Sequence, residues 1–276
     1  MADVRRLALN LATLREQCGF GEAVALCARF GIHAVAPWVD QLQRFGLREA
    51  VRMLRDCGME VTSYCRGGMF TASTAQERRQ RIEDNRRRIE EAAMLGAGCL
   101  LLVCGGLPPQ SRDLEGARHM VEDGIAAIID DAAGAGVRLA IEPLHPMYAA
   151  EGSVVTTLEQ ALDICDAFGP GAPIGVMVDV YHCWWDPGLE RQIARAGRER
   201  LLGFQISDWL VPTRGRPFDR GMPGEGVIDI PRIRSRLEEA GYEGFHELEV
   251  LSAERWWRRD PVEVLRAAVE RHALFC

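Results

Sequence analysis

The sequence contains no lysine, so all 33 of its basic residues other than histidine are arginine. Without a lysine amine the chain cannot form a Schiff base with a substrate or with pyridoxal phosphate, and it has no Walker-type phosphate loop. The arginines are scattered among acidic residues and the net charge is -7. A phosphate backbone would therefore gain little electrostatic attraction, and we expect no nucleic-acid partner.

Cysteine pairs at C-x-x-C spacing and apolar runs of membrane-spanning length are also missing. The nine cysteines are an odd number, and several of them, such as Cys99 and Cys165, fall inside apolar patterns where a small core residue would sit. They indicate a reducing compartment. The N-terminal segment has charge on both sides of a short apolar stretch, which is typical of neither a signal sequence nor a membrane span. We expect a cytoplasmic protein with no membrane partner.

Strand-like and helix-like segments alternate along the 276 residues, a length close to the roughly 250 residues of a typical TIM barrel. Eight short β-rich runs are separated by stretches with helical spacing; they lie at about 6–12, 33–37, 60–65, 99–104, 137–142, 174–180, 201–207 and 245–251. Strict alternation predicts a parallel sheet, and the lack of GxGxxG after the first run favours a closed barrel over a dinucleotide-binding sheet. We predict one α/β domain, a (β/α)8 TIM barrel spanning residues 1–276.

Residues at the predicted element boundaries support this pattern. The Ser73-Thr74 pair and Asp229 stand where helix N-caps are expected. The least regular stretch, residues 209–231, is rich in proline and glycine and follows the seventh strand, and a loop of that length on the C-terminal face of a barrel usually contacts substrate. Trp256 and Trp257 follow the last strand and are candidates for a rim or subunit contact. A homo-oligomer is therefore one of the states that the sequence allows.

Four predicted strands in the second half of the chain end in a side chain that can bind a metal through oxygen. These residues are Glu142, Asp179, Gln205 and Glu249. One acid at a strand end is often only solvated or a helix cap, but the carboxyl ends of barrel strands meet on one face, so four are expected to converge. Three converging carboxylates repel one another unless a cation lies between them. The pattern therefore predicts a divalent metal site.

Five motifs strengthen this interpretation through a family resemblance. IEPLHP, VDVYHCWWDP, QISDW, RGMPGEGVID and GYEGFHELEV resemble the second half of the xylose isomerase-like TIM barrels, the sugar phosphate isomerase/epimerase superfamily. In that family a Glu, an Asp, a His and a Glu from successive strands hold one divalent metal. The resemblance implies that Glu142, Asp179, Gln205 and Glu249 are the ligands here. Glu247 lies two residues before Glu249 and points to the same face, but the family's spacing after the GYxG turn favours Glu249.

Gln205 departs from the family pattern, which has histidine at this position. An amide carbonyl makes the ligand set all-oxygen, and such a set suits Mn²⁺ or Mg²⁺ better than Zn²⁺ or Co²⁺. We therefore expect one divalent metal ion of the Mn²⁺ or Mg²⁺ type. The substitution also puts in doubt any metal preference carried over from the family.

The resemblance implies a metal-dependent isomerase or epimerase that acts on a small sugar or hydroxy-carbonyl compound through an enediolate. Glu142 and Glu249 are the expected base and acid, and His182 is expected to orient a substrate oxygen, although a lone histidine is more often structural. A dehydratase of the same superfamily begins with the same proton abstraction, and a non-catalytic sugar-binding barrel also stays open. An endonuclease IV-like zinc cluster needs several histidine ligands, and only His145, His182 and His246 of the six histidines lie near strand ends of this acidic chain.

Further residues are candidates for substrate binding at the mouth of the predicted barrel. Arg220, in the RGMPGEG motif, matches an arginine that the family directs at the substrate; a solvated loop arginine is the alternative. Asn10, Trp38 and Arg66 end the first three strands. Trp38 suits an apolar wall for a sugar or simple packing, and Arg66 suits a carboxylate or phosphate group. His145 is also expected near the mouth.

Overall fold

The computed structural model describes residues 4–215 and 217–276. Parallel strands form a closed barrel in which each strand pairs with the next along the chain and the last pairs with the first, in the register Leu7↔His246. The strands are Leu7–Asn10, Ala34–Ala36, Glu60–Val61 continued by Tyr64–Gly68, Leu100–Val103, Leu139–Ile141, Ile174–Asp179, Leu201–Ile206 and His246–Leu248. The predicted (β/α)8 barrel is confirmed.

Helices surround the barrel and follow its strands. They are Phe20–Arg29, Val39–Phe45, Leu47–Asp56, Ala75–Leu95, Leu114–Ala126, Ile129–Ala135, Leu158–Ala167, Val180–Cys183, Leu189–Arg200, Ile230–Glu239 and Pro261–Phe275. The predicted caps are confirmed: the Thr74 hydroxyl accepts a hydrogen bond from the Glu77 amide at 3.2 Å, and Asp229 accepts one from the Arg232 amide at 3.2 Å. Each cap satisfies an N–H group that the first helical turn leaves unpaired. Within the described part of the chain, no helix has the length and apolarity that crossing a membrane requires.

The apolar core has two layers, because side chains alternate across each strand. Leu100 and Leu102 belong to the large cluster between barrel and helices, whereas Leu101 and Val103 pack inside the barrel with Met177. This interior packing fills the barrel beneath its C-terminal mouth, as in other TIM barrels. At the fourth to sixth strands, the polar side chains of the mouth therefore rest on apolar packing.

Two strands have bounds that differ from prediction, and polar side chains lie at both places. The first strand ends at Asn10, whose Oδ1 accepts a hydrogen bond from the Ala12 amide at 3.1 Å and so starts the 3₁₀ turn Leu11–Leu14. The third strand is interrupted at Thr62 and Ser63, where both hydroxyls donate to Glu247 on the last strand. Its first piece pairs with the second strand and its second piece with the fourth, so the barrel still closes.

Candidate active site

A cavity of about 370 Å³ opens at the C-terminal mouth of the barrel. Its lining includes Trp38, Arg66, Glu142, His182, Arg220 and Glu249. The barrel therefore brings six of the predicted site residues to one opening, although they come from six separate segments of the chain. Its volume suits a small-molecule ligand.

Two strand ends and a short helix form the first group of polar side chains in this cavity. Glu142 follows the fifth strand, where its amide donates to the Leu102 carbonyl at 3.0 Å. Asp179 ends the sixth strand and accepts a hydrogen bond from the Tyr181 amide at 2.8 Å, which starts the single turn that carries His182. One potential ligand atom from each of Glu142, Asp179 and His182 lies within 4.8 Å of the others, and all three residues are buried. This group could hold a metal ion.

Arg220 lies between these residues and the last strand. Its Nη1 is 2.9 Å from Oδ2 of Asp179 and 2.9 Å from Oε2 of Glu249, while Nη2 is 3.1 Å from Nε2 of His182. The guanidinium also stacks 4.4 Å above the ring of Tyr181. Because only 2% of Arg220 is exposed, the alternative of a solvated loop arginine is wrong. Arg220 instead links the two carboxylates at the mouth.

The loop after the seventh strand places Arg220 there, and it is more regular than predicted. Arg220–Gly221 pairs antiparallel with Asp208–Trp209, so a short hairpin interrupts the stretch expected to be irregular. Asp208 accepts hydrogen bonds of 2.8 to 3.0 Å from four loop amides, those of Trp209, Gly224, Gly226 and Ile228. Sequence reasoning missed Asp208. The available signal was an acid directly after a strand and ahead of a glycine-rich loop, whose amides need acceptors.

Burial governs the ionisation of the mouth. It raises the pKa of Glu142 well above its usual range, and the charges of Asp179 and Glu249 raise it further. Burial raises the pKa of Glu249 to about 7 even though Arg220 acts in the opposite direction. The pKa of His182 is lowered well below its usual range by burial and then by Arg220, so its imidazole is neutral. A cavity with excess buried carboxylates is one in which a further cation is stabilised.

Beneath the mouth, Gln205 and Glu247 share a polar network. Oε1 of Glu247 accepts from Nε2 of Gln205 at 2.7 Å and from Nδ2 of Asn10 at 2.9 Å. Its Oε2 accepts from the hydroxyls of Thr62 at 2.7 Å and Ser63 at 2.9 Å. The carbonyl oxygen of Gln205 is buried and has no hydrogen-bond partner within the described ranges 4–215 and 217–276. An orphaned buried oxygen beside buried carboxylates fits the ligand set of a hard divalent cation.

The remaining residues predicted to bind substrate do not all line the cavity. Trp38 and Arg66 line the cavity. Asn10 does not; it is fully buried, donates to Glu247 and accepts a hydrogen bond of 2.7 Å from Nε1 of Trp38. The His145 amide donates to Nδ1 of His182 at 3.2 Å, and the His145 ring stacks on Trp209 with 5.2 Å between centroids. The structure therefore gives Asn10 and His145 contacts that hold the site's other side chains.

Known proteins resemble this chain along nearly its whole length. A protein of Sinorhizobium meliloti 1021 with a known crystal structure shares 55% identity over 99% of each chain, with a TM-score of 0.97. The inosose isomerase of Bacillus velezensis is 23% identical over 96% of this chain and 95% of its own. The crystal structure of the IOLI protein with a bound zinc atom is 20% identical, covers 98% of this chain and 99% of its own, and has a TM-score of 0.84.

The family model described as "Xylose isomerase-like TIM barrel" matches residues 24–270. This range contains all the cavity residues from Trp38 to Glu249. The resemblance of the five sequence motifs is thereby confirmed at the level of the family. The chain belongs to the xylose isomerase-like TIM barrel family.

Proposed function

We propose that this protein is a divalent-metal-dependent isomerase or epimerase of a small sugar or hydroxy-carbonyl compound, acting through an enediolate. The observation that carries the proposal is the pair Glu142 and Glu249, two buried acids that line one cavity of small-molecule size, with Arg220 bound to Glu249. Membership of the family supports it, and so does the similarity to a relative named inosose isomerase.

Glu142, Asp179, Gln205 and Glu249 would hold the metal, with His182 close to the first two. A bound divalent cation supplies Lewis acidity, which stabilises negative charge that develops on a carbonyl oxygen. All four donors are oxygens, so we propose Mn²⁺ or Mg²⁺ in preference to Zn²⁺ or Co²⁺. The zinc atom bound in the IOLI structure describes that protein, which is 20% identical to this chain, and does not decide the metal here.

Glu142 and Glu249 would carry the proton. One carboxylate removes the proton from the carbon beside the substrate carbonyl, and the other returns a proton to that carbon or to its neighbour. Without metal, burial raises the pKa of Glu249 to about 7; a bound cation would lower it and favour the carboxylate form that removes a proton. Return to the same carbon on the opposite face gives an epimerase, and return to the adjacent carbon gives an isomerase.

Arg220 and His182 would orient the substrate oxygens. The guanidinium of Arg220 is held by Asp179 and Glu249 at 2.9 Å each, so its remaining donor directions are set before substrate arrives. A charged donor that is already fixed in place can stabilise an oxygen as it becomes anionic, because the donor does not have to reorganise first. The neutral imidazole of His182 lies on the same side of the cavity, where a substrate oxygen would compete with Nη2 of Arg220 for Nε2.

The test is a screen of metal-loaded protein in D₂O against inososes, small ketoses and hydroxypyruvate. Deuterium at the carbon beside the carbonyl supports the proposal, and its position separates epimerase from isomerase. Loss of a hydroxyl group after exchange identifies a dehydratase instead. Ligand binding without exchange identifies a non-catalytic sugar-binding barrel and contradicts the proposal.

A further inference from the structure

We propose that Glu247 is a positioning residue that turns the carbonyl oxygen of Gln205 toward the metal site. The inference rests on the proposed function, which places a divalent metal at the mouth. It concerns a residue that would not itself bind the metal or the substrate. Its effect passes through one hydrogen bond, the 2.7 Å contact from Nε2 of Gln205 to Oε1 of Glu247.

The chemistry of the two groups leaves one orientation for the amide. A carboxylate only accepts hydrogen bonds, whereas an amide has a donating NH₂ end and an accepting oxygen end. Reversing the Gln205 amide would place its oxygen against an oxygen of Glu247 in a buried setting, where 1% of Gln205 and 2% of Glu247 are exposed. With the NH₂ end on Glu247, the carbonyl oxygen must face away from it.

The neighbouring strands show what lies on the other side. Gln205 is in register with Glu247 on the eighth strand and with Asp179 on the sixth. Asp179 is one of the buried residues that could hold a metal ion. The Gln205 oxygen is buried and has no hydrogen-bond partner among the residues described. It is thus an available acceptor on a residue that is in register with Asp179, a candidate metal ligand. A cation placed there would supply the missing partner.

Glu247 is itself held in place. Its second oxygen accepts from Thr62 and Ser63 at 2.7 and 2.9 Å. Asn10, its other donor on Oε1, is fixed in turn by Nε1 of Trp38 at 2.7 Å. A ligand oriented by a rigid acceptor keeps its geometry when the metal leaves, and losing such a partner typically weakens metal affinity about 10- to 100-fold.

A double-mutant cycle on Mn²⁺ affinity tests the inference. Dissociation constants would be measured by competition with a fluorescent chelator for wild type, Glu247→Ala, Gln205→Ala and the double variant. We expect Glu247→Ala to weaken Mn²⁺ binding about tenfold or more in the wild-type background and by less than about twofold when Gln205 is already alanine. Equal weakening in both backgrounds, or none in the first, overturns the inference.

Two further variants separate a specific effect on Gln205 from general damage to the fold. Glu243→Ala removes an exposed carboxylate that pairs with Arg198 at the surface and should leave Mn²⁺ affinity within about twofold of wild type. Glu247→Gln can keep an oxygen toward Gln205 and should recover most of the affinity lost in Glu247→Ala, even if the alanine variant folds poorly. Failure of Glu247→Gln to recover affinity contradicts the inference. If wild type binds none of Mn²⁺, Mg²⁺, Zn²⁺ and Co²⁺, the proposed function fails together with this inference. If wild type binds metal but Glu247→Ala binds it equally well, only this inference fails.

Discussion

Nη1 of Arg220 lies 2.9 Å from Oδ2 of Asp179 at the mouth of the barrel, and the two side chains are 3% and 0% exposed. A guanidinium in this position compensates a carboxylate that has been removed from water. The same carboxylate is a candidate metal ligand. The protein and its proposed metal therefore stabilise the same negative charge, and removing either one should make the other more important.

Replacing Arg220 by alanine should destabilise the metal-free protein. It leaves Asp179 and Glu249 buried without their 2.9 Å partner, and breaking a buried pair from one side costs about 3–5 kcal/mol. Urea unfolding in EDTA measures the loss, and adding Mn²⁺ should raise the stability of the variant more than that of wild type. Arg198→Ala is the matched control, because the Arg198–Glu243 pair is 72% and 73% exposed and should contribute less than about 1 kcal/mol. A free energy of unfolding within about 1 kcal/mol of wild type for Arg220→Ala would contradict this account.

Replacing Gln205 by histidine should shift metal preference toward Zn²⁺ or Co²⁺. A neutral imidazole can donate one N–H to Glu247, as the Gln205 amide does at 2.7 Å, and offer its other nitrogen as a softer ligand than the carbonyl oxygen. The ratio of dissociation constants for Zn²⁺ and Mn²⁺ is the measurement. An unchanged ratio in the variant would show that Gln205 is not a ligand.

Replacing Arg66 by alanine should weaken binding of anionic substrates more than neutral ones. Arg66 is exposed and lines the cavity beside Glu142, so its guanidinium is available to a carboxylate or phosphate group. The measurement compares dissociation constants for hydroxypyruvate, dihydroxyacetone phosphate and neutral dihydroxyacetone. Arg48→Ala removes an exposed arginine from the helix Leu47–Asp56 and is the control. Equal effects of Arg66→Ala on all three compounds would rule out an anion contact.

A buried histidine pair should make the protein sensitive to acid. Nδ1 of His246 lies 3.0 Å from Nε2 of His272, and burial, followed by the charge of His272, lowers the pKa of His246 to about 3 from an ordinary 6.5. Between about pH 6.5 and pH 3, His246 therefore binds a proton in the unfolded chain but not in the folded chain. The stability contributed by neutral His246 is complete above about pH 6.5 and is lost as the pH falls toward 3.

The variant His246→Asn removes this titration. Its free energy of unfolding, measured by urea denaturation at a series of pH values, should fall less steeply with acid than that of wild type. Replacing the exposed His33 by asparagine should leave the wild-type slope unchanged. An identical slope for His246→Asn and wild type would contradict the assignment.

The sequence predicted the features that depend on local repetition. Eight strands recur with the same apolar pattern, and each of Glu142, Asp179 and Glu249 follows such a run, so the barrel and the end that carries these acids follow from periodicity. Thr74 and Asp229 act on their own helices, and their effect is equally local.

Contacts between distant parts of the chain were not predictable in the same way. Thr62 and Ser63 interrupt the third strand where they reach Glu247, which is 185 and 184 residues away. Arg220 reaches Asp179 from a loop in which Asp208 accepts hydrogen bonds from several amides and a short hairpin forms. No periodic pattern records such pairs, because their members lie in separate segments of the chain.

Deuterium exchange with wild type, Glu142→Gln and Glu249→Gln tests the central claim most directly. Incorporation at the carbon beside the carbonyl would be followed by NMR in D₂O, with the metal content of each sample measured in parallel. Glutamine keeps an oxygen that can bind metal but removes the base, so both variants should retain metal at least in part while exchange falls by about 10² or more. Glu247→Gln should exchange faster than Glu249→Gln. Exchange at nearly the wild-type rate in both Glu142→Gln and Glu249→Gln would contradict the enediolate mechanism.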